Sequence, residues 1–194
     1  MLLIFLDSET TGLNFHRHRI IEIAYRVFDA ASGKAVYNYE TLISQPTEVF
    51  GSADSESLAF NNITFEMALE GKTEIVVASE IIHDFNRLGF STRGGVFICQ
   101  NPSFDRNFLT QLIDADLQEK FGWPHHWLDL ASMYYALRLH QDRWTLKMLK
   151  DHGLSKDKIA AFYGIPPEIR PHRAMRGVNH LIACYEAMFG KFST

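Results

Sequence analysis

The chain has only two cysteines in 194 residues, Cys99 and Cys184, each inside an apolar run and neither at a metal-ligand spacing. That excludes a disulfide framework and a cysteine-based metal site, and leaves reduced, packed thiols as the expectation. Long apolar runs are also missing. The stretch from Leu2 to Leu6 stops at Asp7, too short for the apolar region of a signal peptide or for a membrane span, so a soluble, cytoplasmic protein with no membrane partner is expected. Proline is sparse, with six residues, and no low-complexity segment divides the chain. With 46% hydrophobic content, residues 1–194 are expected to form a single domain with a sizeable core. Excess charge of either sign is missing too, since the net charge is −4, which argues against a strong nonspecific duplex binder. The charge is nevertheless unevenly placed: residues 1–119 hold 8 Lys and Arg against 17 Asp and Glu, and residues 120–194 hold 11 against 6.

What is present begins with Phe5-Leu6-Asp7-Ser8-Glu9-Thr10-Thr11-Gly12-Leu13. The short apolar run before it suits a buried strand, and on extended chain Asp7 and Glu9, two residues apart, point the same way. Two carboxylates sharing one small space are costly unless a cation neutralises them or one is protonated, and hard divalent ions favour oxygen ligands. The plainer alternative is a strand ending in a solvated acidic turn.

Further along, Arg19 to Val27 and Val36 to Ile43 read as strands flanking the turn Asp29 to Lys34, giving a three-stranded meander. Pro46 to Asn62 reads as a loop with a short helix near Ser57, and Thr64 could cap another helix at Phe65–Leu69. Between Glu74 and Leu88 the apolar residues fall at helical spacing and Gly89 supplies a stop. A strand at Val96 to Gln100 leads into a helix with Phe104, Phe108, Leu109, Leu112 and Ile113 on one face. Asp105 sits in its first turn, either as an ordinary helix-start carboxylate or as a third acid converging on Asp7 and Glu9. Trp127 to Leu130 reads as a last short strand, followed by a helix through Arg138 and another from Thr145 to His152. Trp144 and Leu146 are expected as core anchors, and His125 and His126 as surface loop. The final helix runs from about Arg173 to Phe189, with Pro171 and His172 just before it.

Three ordered stretches, Phe5 to Leu13, Asn101-Pro102-Ser103-Phe104-Asp105-Arg106-Asn107-Phe108-Leu109 and His172-Arg173-Ala174-Met175, together resemble the DEDDh (DnaQ-like) family of 3'–5' exonucleases. The resemblance implies an α/β fold of the ribonuclease H-like type: a mixed five-stranded sheet flanked by helices, with the first strand central. It implies that Asp7, Glu9 and Asp105 bind two Mg²⁺ or Mn²⁺ ions, the second site being the weaker, and that His172 is the general base. It further implies that Thr10, Thr11 and Leu13 hold the 3'-terminal nucleotide of single-stranded DNA or RNA, with Phe104 near a base. A homodimer is compatible with it.

One family position is not matched. The fourth metal carboxylate lies five residues after the histidine, and here that residue is Gly177, preceded by Arg176. No Asp or Glu occurs between Glu168 and Glu186. Asn179 and His180 are the nearest substitutes, and Gly177→Asp is expected to restore the ligand and raise metal affinity. Two readings stay open: a 3'–5' exonuclease with a remodelled site, and a nuclease-fold protein that binds nucleic acid or a protein partner without cutting it.

Overall fold

The structure, a computed structural model, describes residues 1–141 and 145–192. The expectations for Trp144 and for the Leu146 side chain lie outside the described residues. Strands β1 (Leu2–Thr10), β2 (Ile20–Asp29) and β3 (Ala35–Leu42) form the antiparallel meander. Two further strands, β4 (Gly95–Cys99) and β5 (Trp127–Asp129), add in parallel on the other side of β1. The order is β3-β2-β1-β4-β5, a mixed five-stranded sheet with β1 in the middle.

Helices cover both faces. They are α1 (Thr47–Gly51), α2 (Ser55–Asn61), α3 (Phe65–Leu69), α4 (Glu74–Leu88), α5 (Pro102–Leu109), α6 (Ala115–Lys120), α7 (Leu130–Gln141), α8 (Leu146–His152), α9 (Lys156–Phe162) and α10 (Ala174–Phe189). Local signals set the long ones. Thr73 caps α4 by accepting from the Val76 N–H, and Gly89 ends it in the left-handed conformation that glycine adopts without penalty. Helix α5 stops at Leu109, four residues short of the expected apolar face, yet Ile113 still packs into the same core. Helices α1, α6 and α9 were not anticipated.

The alternation along β1 sorts the core into two layers and decides where the polar end of the strand points. Ile4 and Leu6 pack with Val77, Ile81 and Phe85 of α4 and Phe108 of α5. Leu3 and Phe5 pack on the opposite face with Val178 and Leu181 of α10. Continued through Glu9, the same alternation carries Asp7 and Glu9 toward α10 and Ser8 toward α5. Between Glu9 and Thr10 the pairing with β2 shifts register, an irregularity of the kind that re-aims side chains beside functional sites. Cys99 and Cys184 are buried free thiols, and His125 and His126 are exposed.

Candidate active site

One hollow at the end of β1 is lined by Asp7, Glu9, Asp105, Lys156, Glu168 and His172. Four parts of the chain bring them together: β1, the first turn of α5, the first residue of α9, and the segment before α10, which carries both Glu168 and His172. Asp105 is buried and accepts a 2.7 Å hydrogen bond from Ser8 Oγ. That bond follows from Ser8 pointing to the α5 side of the sheet.

His172 is placed by three contacts. Its N–H donates to Phe60 O at 3.0 Å, its ring lies 4.6 Å from the Phe60 ring, and its Nδ1 is 3.3 Å from Glu168 Oε1. The guanidinium of Arg170 covers Phe60 at 4.6 Å. The start of α10 is held by β2, one of the strands it packs on. Glu22, fully buried on β2, accepts 2.9 and 3.0 Å bonds from Arg173 Nε and a further bond from Arg173 Nη2. It also accepts the Ala174 N–H at 2.8 Å, supplying the cap that Arg173 at the helix start does not.

The position of the unmatched acid faces the hollow, as expected, but leaves no room for a side chain. A Cβ on Gly177 would come within 2.6 Å of Asp7 Cγ and closer still to its Oδ2. The expected rescue by Gly177→Asp is therefore corrected: Asp7 already occupies that space. Arg176 is exposed and donates to Pro171 O, so it is not the positive charge at the site. Lys156 is. Its Nζ lies 2.8 Å from Glu168 Oε2, 3.5 Å from Asp7 Oδ1 and 3.4 Å from the carbonyl oxygen of Gly177. Asn179 is drawn away, accepting from Arg26 Nη1 at 3.0 Å. His180 reaches only the rear of the site: Nε2 is 2.9 Å from Pro166 O and Nδ1 is 3.9 Å from Glu168 Oε2.

The residues expected to hold a nucleotide divide into two kinds. Thr10 and Thr11 are buried and their hydroxyls shape the turn, Thr10 Oγ1 donating to Gly12 O and Thr11 Oγ1 accepting the Arg19 N–H. Leu13, 75% exposed, and Phe104 line a second cleft that adjoins the first at Glu9 and also includes Phe60.

Burial crowds acidic charge here. It pushes the Asp7 carboxyl up to about 6, the Lys156 charge opposing and the Glu168 charge reinforcing the shift. Glu9 is pushed up to about 8 by burial first and then by Asp7 and Glu22. Asp105 is raised well above the usual carboxylate range, by burial and then by Asp7. Lys156 is raised because Asp7 and Glu168 outweigh the burial that disfavours its charge. His172 is lowered, chiefly by burial and with Lys156 adding to it, against the pull of Glu168.

The donor chemistry fits a hard divalent ion: three carboxylates share one hollow, and their own charges make the ionised state costly without a cation. Among the described residues no three such side chains already close on one point. Asp7 lies 3.5 Å from Lys156 Nζ, and Asp105 accepts from Ser8 Oγ.

Lys156, Glu168, Glu22 and Phe60 escaped the reading of the sequence as site residues. A faint signal for Lys156 existed in Ser155, whose side chain caps α9 by accepting from the Lys158 N–H. Glu168, four residues before His172, had no signal beyond its spacing.

Comparison with known proteins gives the site its context. Residues 4–184 match the exonuclease family RNase_T. DNA polymerase III subunit epsilon of Treponema pallidum (strain Nichols) is 30% identical over 131 residues, which cover 68% of this chain and 54% of that protein. The chain thus spans about half the length of that relative. Among solved structures, the zinc-bound complex of Escherichia coli exonuclease I with single-stranded DNA superposes with a TM-score of 0.75 at 17% identity, over 96% of this chain and 40% of that one. Exonuclease I of Methylocaldum szegediense gives 0.74 at 17% identity, over 98% and 41%. These likenesses establish the ribonuclease H-like exonuclease fold, and the match over nearly the whole chain establishes the family: the protein belongs to the DnaQ-like 3'–5' exonucleases.

Proposed function

We propose that this chain is a metal-dependent exonuclease that removes nucleotides from the 3' end of single-stranded DNA or RNA. The observation that carries the reading is the convergence of Asp7, Glu9, Asp105 and His172, from distant parts of the sequence, on one hollow. Asp7, Glu9 and Asp105 would hold Mg²⁺ or Mn²⁺, which when bound lowers the pKa of water and offsets charge on the leaving 3'-oxygen. His172 has its ordinary pKa of 6.5 lowered, so its ring is neutral at neutral pH and able to accept a proton. With Nδ1 toward Glu168, Nε2 is the nitrogen that takes the proton from the attacking water. Phe60 and Glu168 hold that ring in place from two sides. In the adjoining cleft Leu13, Phe60 and Phe104 offer apolar surface for the base of an unpaired terminus. The single-stranded DNA in the complex with E. coli exonuclease I supports that choice of substrate.

A second reading is favoured by one observation, the contact of Lys156 with Asp7: a nuclease-fold protein that binds single strands without cutting them. A 5'-labelled oligonucleotide, DNA and RNA in parallel, separates the two. With Mg²⁺ or Mn²⁺ the exonuclease gives a ladder of shortened labelled products, Asp7→Ala abolishes it, and His172→Ala slows it by about 10²–10⁴-fold. Release of labelled mononucleotide at the outset would reverse the polarity. An undegraded but retarded oligonucleotide would establish the binding reading.

A further inference from the structure

Lys156 is an odd residue for its place. It is the first residue of α9, where the helix dipole disfavours a cation, and its side chain is only 14% exposed. Its Nζ is nonetheless held 2.8 Å from Glu168 Oε2, a carboxylate 1% exposed, and 3.5 Å from Asp7 Oδ1. Buried ion pairs of this kind contribute little net stability once desolvation is counted, so stability alone does not account for the arrangement. The ammonium also donates to the carbonyl oxygen of Gly177, the residue standing where the family supplies its fourth carboxylate. At Gly177 any side chain would collide with Asp7. Three features of this chain therefore coincide at one point: an acid is missing from α10, a lysine ammonium is brought in from α9, and a different acid, Glu168, is buried behind it.

We propose that the Lys156 ammonium is a built-in cation that takes the place of one of the two divalent ions, so that this chain binds a single divalent ion, at Asp7, Glu9 and Asp105. Glu168 is the counter-charge that holds Lys156 there. The ammonium supplies one fixed positive charge beside Asp7, and the chemistry a metal would supply, lowering the pKa of water, would be left to the single ion held by Asp7, Glu9 and Asp105. This rests on the exonuclease reading above and specifies how its site is charged.

The test is the number of Mn²⁺ ions bound by the metal-free protein without substrate, counted by isothermal titration and by electron paramagnetic resonance. The wild-type chain binds one. Lys156→Met, of similar length but uncharged, leaves Asp7 and Glu168 facing an uncompensated gap and binds two. The double variant Lys156→Met with Glu168→Gln returns to one. In the oligonucleotide assay Lys156→Met is slower by about 10-fold or more at limiting Mn²⁺ and recovers as Mn²⁺ saturates. Two ions in the wild type, or one in a folded Lys156→Met variant, overturns the proposal and leaves the exonuclease reading intact. No bound ion in the wild type overturns both. Should circular dichroism show that Lys156→Met does not fold, the wild-type count decides alone.

Discussion

Gly177 shows how a single missing side chain sets what the neighbouring acid can do. In a helix interior Ala is favoured over Gly by about 1 kcal/mol, so Gly177→Ala gains on propensity. The added methyl group, however, would press on the Asp7 carboxylate, and forcing extra atoms into packed space typically costs about 1–3 kcal/mol. The clash wins at the site even where the two nearly cancel in stability, because the group that moves is the carboxylate proposed to hold the metal. Gly177→Ala is expected to lose about 0–2 kcal/mol in urea denaturation and to bind Mn²⁺ about 10-fold more weakly. Gly177→Asp is expected to bind no better than Gly177→Ala. A tighter site in either variant would show that Asp7 swings aside freely.

At the scale of elements, α10 is docked by a residue of another element. Its own start offers no side-chain cap, and Glu22 of β2 takes both the Arg173 guanidinium and the Ala174 N–H. Arg173 remains partly solvated, at 27% side-chain exposure, so removing its partner strands it less completely than a fully buried charge. Glu22→Ala is expected to cost about 2–3 kcal/mol, below the range for fully buried pairs. Because His172 precedes Arg173 directly, the variant should also slow hydrolysis while leaving oligonucleotide affinity nearly unchanged. An unaltered denaturation midpoint would mean that the apolar face of α10, with Val178 and Leu181, suffices to dock it.

Over the whole molecule the uneven charge acquires a geometric meaning. The acidic first part carries Asp7, Glu9 and Asp105, and the basic last part folds back to set Lys156 and His172 among them. The packing leaves a pH signature. Asp7 rises from 3.8 to about 6 and Glu9 from 4.5 to about 8, so between those limits the folded chain keeps protons that the unfolded chain releases. Stability must then fall as pH rises. His172, lowered from 6.5, acts in the opposite sense, adding stability as pH climbs toward 6.5, so the decline is cleanest between pH 6.5 and 8. Without metal, the melting temperature is expected to drop over that interval. With Mg²⁺ or Mn²⁺ held by the ionised carboxylates, as proposed, an excess of either ion should raise it, more at pH 8 than at pH 6.5. A flat profile without metal would show that Glu9 is ionised throughout.

The sequence by itself determined what depends on short range: the apolar run before Asp7, the spacing of Asp7 and Glu9, helix α4 with Thr73 and Gly89 at its ends, and the three ordered motifs that mark the family. It also pointed to Gly177 as the position where the family resemblance departs. What only tertiary structure decided is how that departure is filled. Lys156 is 149 residues from Asp7, on a short helix whose periodicity is too brief to read, and Glu168 looked like the last acid before a gap. Both gain their character from burial, which makes a charge depend on whatever stands within a few ångströms regardless of its distance along the chain. Asn179 and His180 were the nearest candidates in sequence, yet the helix turns one to Arg26 and the other behind Glu168. Periodicity assigns a residue to a face of its own helix, but which charges meet that face is settled by how β1, α9 and α10 pack.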